Sequence, residues 1–106
     1  MAKYLIEASY TAEGVKGLLK DGGSARRDAA TQLIGTLGGK VEAFYFSFGS
    51  SDAYVIVDMP DNVSVTAASL AVNSSGAVTA KVVVLMTPEE VDEACSKSPA
   101  YQAPGS

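Results

Sequence analysis

Alternating apolar and polar residues predict four β-strands along the chain. In the first, the even-numbered positions from Tyr4 to Tyr10 are apolar or aromatic, while the odd-numbered positions include Lys3 and Glu7. This two-residue period is typical of a strand with one buried face. A turn at residues 49–52 joins the second strand to the third and predicts a hairpin. The predicted strands are residues 3–10, 41–48, 53–58 and 77–86.

Apolar residues spaced by three and four positions predict helices between the strands. Thr11 is a suitable N-cap for the first helix, which Gly22-Gly23 interrupts, and Ser24 can cap the second stretch. The last segment, Thr87-Pro88-Glu89-Glu90, combines a capping residue, a proline at the first helical position and acids in the first turn. The predicted helices end near residues 21, 37, 75 and 97, and a tail follows over residues 98–106.

The order β-α-β-β-α-β, with a final helix, predicts an α+β fold of the ferredoxin-like kind. Right-handed crossovers then place the helices on one face of a four-stranded antiparallel sheet. At 106 residues the chain has room for one core, so residues 1–97 form one domain and residues 98–106 a C-terminal tail. The second, third and fourth strands are apolar on both faces, whereas a sheet open to water on one side should alternate. We therefore expect a homo-oligomer, a dimer or larger, in which a second copy covers the bare face.

Composition and charge narrow the classes of partner. The apolar fraction is 47%, the net charge is -4 and the mean hydropathy is +0.16. Because the Lys and Arg residues are spread along the chain, we expect no nucleic-acid partner. We expect no membrane partner either, since no stretch approaches the length of a membrane span. Cys95 is the single cysteine, which excludes an intrachain disulfide and indicates a reducing, cytoplasmic location.

The chain contains no histidine, which restricts the chemistry open to it. Ser-His-Asp and Cys-His nucleophile systems, His-ligated zinc and His-ligated haem are excluded within one chain. We therefore expect no metal and no cofactor.

Short motifs follow one another from the first strand to the last helix. They are Lys3-Tyr4-Leu5, Tyr10-Thr11-Ala12-Glu13-Gly14, Arg26-Arg27, Gly38-Gly39-Lys40, Phe48-Gly49 with Asp52, Pro60-Asp61 and Thr87-Pro88-Glu89-Glu90. In this order they resemble the GYD domain family, small proteins related to the dimeric α/β-barrel group of the ferredoxin-like fold. The resemblance implies an assembly of the dimeric α/β-barrel type.

The turn between the second and third strands carries the residues after which that family is named. Gly49 and Asp52 match, whereas Ser51 stands where the family has a tyrosine, with Tyr54 nearby as a partial substitute. Relatives in the wider barrel group include cofactor-free oxygenases, isomerases and haem enzymes. The haem branch is the least similar, because no histidine is available as an axial ligand.

Residues 22–27 are a candidate anion site. They combine flexible glycines, a hydroxyl at a helix start and the guanidinium groups of Arg26 and Arg27. The alternative is a helix break with two solvated arginines, one of them pairing with Asp28. Adjacent helical residues diverge by about 100° around the axis, so we expect one arginine to face a cleft, and the apolar spacing that follows favours Arg26.

Aromatic and acidic residues on the strands are further candidates. Tyr10, Tyr45 and Tyr54 bring hydroxyl groups to otherwise apolar strands, as contacts for a small ligand or as core and interface residues. Glu7 faces the expected interface, where it is either a desolvated general base or a member of a salt bridge. Asp52 is either a turn residue or a second candidate base.

Two functions from different classes fit these features. The first is an oligomeric protein that binds a small anionic or aromatic ligand, or serves a structural role, with Arg26, Arg27 and the tyrosines as contacts. The alternative is a cofactor-free enzyme of the oxygenase or isomerase type acting on a small organic molecule, with Glu7 or Asp52 as base. A third reading places an anionic effector between subunits beside Arg26. An enzyme needs an enclosed pocket with a titratable group aimed into it, which an assembly module does not.

Overall fold

The computed structural model describes residues 1–105. Its strands are β1 (Ala2–Tyr10), β2 (Lys40–Phe46), β3 (Ala53–Met59) and β4 (Val78–Leu85). Its helices are α1 (Ala12–Asp21), α2 (Gly23–Thr36), α3 (Asn62–Ser74) and α4 (Pro88–Cys95). The strands form one antiparallel sheet in the order β2-β3-β1-β4, which confirms the predicted ferredoxin-like architecture. None of the described helices is long and apolar enough to cross a membrane.

The break in the first helical region lies at Gly22, where the chain turns from α1 to α2. Its φ of 86° lies in the left-handed region, which glycine adopts without steric cost. Its amide donates to the Leu18 carbonyl oxygen at 2.8 Å and closes α1. The same residue occupies the N-cap position of α2 without a side-chain cap. Ser24 therefore lies inside α2, and the expectation that it caps this helix is wrong.

Strand β2 ends earlier than predicted, at Phe46. The Ser47 amide donates to the Asp52 carbonyl oxygen at 2.7 Å and turns the chain toward β3. Phe48 lies beyond this turn and is fully exposed. The alternation of aromatic residues in the sequence thus extends beyond Phe46, which is the last residue of β2 that pairs with β3.

The main core lies between the sheet and the helices. Full burial of one such apolar side chain contributes about 1.5–3 kcal/mol. The Tyr4 hydroxyl donates to Asn62 Oδ1 at the start of α3, so this buried polar group is satisfied. The buried residues of the core are Tyr4, Val55, Val57 and Met59 from the sheet, Ile34 from α2, and Val65 and Ala68 from α3.

The opposite face of the sheet, called here the open face, carries none of this core. Residues directly opposite each other on neighbouring strands point the same way and form rows across the sheet. The first row is apolar: Ala43, Ile56, Leu5 and Val83. The next row is mixed: Tyr45, Tyr54, Glu7 and Lys81. The strands therefore have apolar residues on both faces, as the sequence predicts.

Lys3 holds an ion-pair network at one end of the open face. Its Nζ lies 2.9 Å from a carboxylate oxygen of Asp58 and 2.9 Å from one of Glu42. The hydrogen bond to Asp58, followed by that to Glu42, raises the pKa of Lys3 above its ordinary value. Basic and acidic groups thus occur side by side on this face.

Helix α1 approaches the start of β4 most closely at Gly14. A Cβ at this position would overlap the Ala77 carbonyl oxygen and lie 3.1 Å from the Tyr10 ring. That carbonyl accepts a hydrogen bond from the Thr11 amide at 3.0 Å, which fixes its position. Gly17 lies on the same helix with open space around its Cβ position.

Gly14→Ala should lower the free energy of unfolding by about 1–3 kcal/mol, because overpacking outweighs the higher helix propensity of alanine. Gly17→Ala is the matched control and should raise it by up to about 1 kcal/mol. Urea unfolding followed by circular dichroism measures both. Equal gains in the two variants would contradict the close packing at Gly14.

Candidate functional site

A cavity of about 80 Å³ lies between the sheet and the helices. Its floor is a row of small side chains, because Ala8 on β1 stands directly opposite Ala53 on β3 and Ala80 on β4. Small residues from the helices face this row, so the two layers meet without filling the space between them. We call this cavity the inner chamber; it is bounded by Ala8, Ala53 and Ala80 from the sheet and by Arg26, Ala30 and Ala68 from the helices.

The edge of the chamber at β4 is held by a side chain of α3. The Ala80 amide donates to Asn73 Oδ1 at 3.0 Å, and Asn73 Nδ2 donates to the Ala80 carbonyl oxygen at 3.2 Å. The side-chain amide of Asn73 thus makes the two backbone hydrogen bonds that a neighbouring strand would make with Ala80 on this edge strand. These two bonds fix one wall of the chamber by its backbone, independently of the side chain at position 80.

Arg26 is the charged residue of the chamber lining. It projects from the second turn of α2, and its Nε is shielded from solvent with no hydrogen-bond partner. Among residues 1–105, its guanidinium takes part in no ion pair. A buried donor without an acceptor is costly and rare in native proteins, so it calls for an explanation.

A wider cleft of about 390 Å³ continues outward from the chamber. The two share Arg26, Tyr10 and Val78, so the guanidinium stands at their junction. Helix α1 forms the outer wall and contributes Glu13 and Asp21. Glu13 is exposed and lies 3.6 Å from Lys16. A ligand entering through the cleft would meet Arg26 before it reached the alanine floor.

Asp52 is a turn residue, one of its two predicted roles, with hydrogen-bond partners that the sequence did not reveal. Its Oδ2 accepts a hydrogen bond from the Tyr10 amide at 2.8 Å, and its own amide donates to the Ala8 carbonyl oxygen at 2.8 Å. With the bond from Ser47, these contacts tie the β2–β3 turn to the end of β1. The carboxylate is therefore engaged with backbone, and Asp52 is not among the residues that line the chamber.

The other predicted site residues are divided between different surfaces. Tyr10 joins Arg26 in the chamber lining, and its ring stacks on Phe46 with centroids 6.4 Å apart. Arg27 is exposed and pairs with Asp28 at 3.3 Å. It lines a separate shallow depression with the start of α2, so the helix start and Arg26 do not form one anion site. Tyr45, Tyr54 and Glu7 lie together on the open face, across the sheet from the chamber.

Sequence reasoning missed the chamber itself. Ala8, Ala53 and Ala80 lie at inward positions of three strands, and they become a row only through the strand pairing. Within the described part of the chain, no group of three or more Asp, Glu or Cys side chains is placed to hold a metal ion.

Together these features define a ferredoxin-like α+β domain with an apolar chamber under its helices and one arginine at the chamber mouth. A family model for the GYD domain matches residues 4–95. The chain therefore belongs to the GYD domain family, as its motifs predict. No curated protein and no solved structure matches the chain.

Arg26→Met should raise the free energy of unfolding by about 1 kcal/mol, since it removes an unpaired buried donor and keeps an unbranched apolar stem. Arg27→Met, at the adjacent exposed position, should change it by less than about 0.5 kcal/mol. Urea unfolding of protein refolded from denaturant gives both values free of any co-purified ligand. A loss of stability in Arg26→Met would mean that the guanidinium supports the fold.

Proposed function

We propose that the protein binds a small carboxylate, with the apolar part of the ligand in the inner chamber and the carboxylate on Arg26. The observation that carries this proposal is the shielded Nε of Arg26, which lacks a partner at the mouth of an apolar cavity. A carboxylate would supply the missing acceptor, and the planar guanidinium matches its geometry in a two-pronged pair.

The surroundings favour a monoanion over a phosphate. One guanidinium stands at the junction of chamber and cleft, and Glu13 and Asp21 line the cleft outside it. A phosphate dianion would face repulsion from these carboxylates, of which Lys16 offsets only Glu13, and Arg26 is the one cation in the cleft lining. A carboxylate carries one charge, and the low dielectric of the chamber strengthens its pairing with Arg26.

Binding is favoured over the alternative of a cofactor-free oxygenase or isomerase. The lining of the inner chamber contains no Asp or Glu. Glu7 lies on the open face, and the Asp52 carboxylate is bonded to the Tyr10 amide. A proton-abstracting mechanism in the chamber would therefore lack the base that the sequence suggested for it.

Butanoate should bind the wild type and raise its melting temperature by an amount that grows with the logarithm of the ligand concentration above the Kd. Arg26→Gln should weaken this binding at least tenfold, because the pairing partner is lost. Arg27→Gln is the matched control: it removes the same charge one residue away, outside the chamber, and should bind like the wild type. Isothermal titration calorimetry measures all three. Equal affinities in the two variants would overturn the assignment of Arg26.

We also propose that a second copy of the chain covers the open face. The apolar row of the open face supports this proposal, and its member Val83 is 40% exposed at the sheet edge. The same face carries Lys3 with its acidic partners and Glu7 opposite Lys81, so it presents both signs of charge to an identical surface. A self-complementary face of this kind suits a two-fold symmetric interface.

Val83→Lys should convert the assembly to monomers, because a buried unpaired charge would be placed in the interface. Val63→Lys is the matched control, since Val63 is 79% exposed on α3 and lies outside the open face. Multi-angle light scattering at micromolar concentration reports the mass, and circular dichroism verifies the fold. A monomeric wild type, or an unchanged mass in Val83→Lys, would refute this interface.

A further inference from the structure

We infer that the inner chamber selects short-chain carboxylates, with an apolar part of about three to four carbon atoms. The inference rests on the carboxylate site proposed above and adds the size of the ligand. It follows from the volume of the chamber and from the rows of side chains along its length.

The volume of the chamber limits the ligand to a few carbon groups. A water-sized group occupies about 30 Å³ in a liquid, so the chamber holds about three such groups. An engineered apolar cavity of about 150 Å³ in another protein accepts benzene, which is about twice the space available here. An aromatic ring therefore exceeds the chamber, whereas a short aliphatic chain fills it.

The rows of the sheet define a mouth and a narrower end. Tyr10 and Val78 stand opposite each other and line both the inner chamber and the outer cleft. The outer cleft does not reach Ile6 or Val82. The alanine row lies two residues further along the strands, about 7 Å from the mouth. After a further two residues, Ile6 stands between Val55 and Val82, and these larger side chains narrow the chamber that they help to line. A ligand anchored at Arg26 therefore has most room over the alanine row.

The alanine row is thus the specificity-determining element. Each methylene group buried there should raise the affinity about fourfold. Once the ligand fills the chamber, a further methylene group must displace packed side chains, which costs more than its burial contributes. The affinity should therefore rise from acetate to butanoate and pentanoate, and it should level off or fall for hexanoate and octanoate.

Two substitutions on β4 test whether this floor sets the limit. Ala80→Val narrows the chamber and leaves the backbone bonds to Asn73 in place, and valine suits a strand. Val82→Ala enlarges the narrower end. Calorimetric titration of wild type and both variants with acetate, butanoate, pentanoate, hexanoate and octanoate gives the preferred chain length of each. The preferred length should become shorter in Ala80→Val and longer in Val82→Ala.

An affinity that kept rising to octanoate in the wild type would overturn the inference, as would the same preferred length in all three proteins. Arg26→Gln, titrated with the same series, distinguishes this failure from failure of the proposed function. If binding depends on Arg26 but not on chain length, the size limit is wrong while the carboxylate site stands. If no acid of the series binds the wild type, both are wrong.

Discussion

The structure depends on one constraint: a four-stranded sheet has two faces to cover, and its helices cover one of them. Helices α2 and α3 pack on Tyr4, Val57 and Met59, and this core contains the largest fully buried side chains of the chain. The open face carries an apolar row with no such cover. Because neighbouring residues of a strand point to opposite faces, each strand contributes side chains to the covered face and to the open face. On β1, Ala8 points to the inner chamber and Glu7 points to the open face.

Much of the fold could be predicted because it depends on local patterns. Strand alternation, the capping residues Thr11 and Thr87, and the break at Gly22 all act within a few residues of the chain. The helical angle between Arg26 and Arg27 is equally local, and the two side chains do line different surfaces. Assembly of the open face stays a prediction, since it concerns a second chain.

The site was less predictable because it depends on contacts between distant parts of the chain. Asp52 reads as a turn residue or a base, and only the pairing of the turn with β1 shows that it bonds the Tyr10 amide. The exposure of Phe48 has the same origin, since the Ser47 bond to Asp52 ends β2 first. The chamber is harder still to predict. Alanine is compatible with both helix and strand, so a row of alanines on three strands leaves no periodic signal in the sequence.

The chamber and Arg26 are best understood as one feature. A gap in a packed interior forfeits the dispersion contacts that its lining would otherwise make. The shielded Nε of Arg26, which has no acceptor, forfeits a charge-assisted hydrogen bond. Each alone lowers the stability of the fold, and the two occur together on the covered face, beside a core that tolerates the loss. A short-chain carboxylate would remedy both defects at once, because its carbon atoms fill the gap and its oxygens pair with Arg26. The ligand-free protein would then carry a local cost that binding relieves, which is the relation expected where structure is held ready for a function.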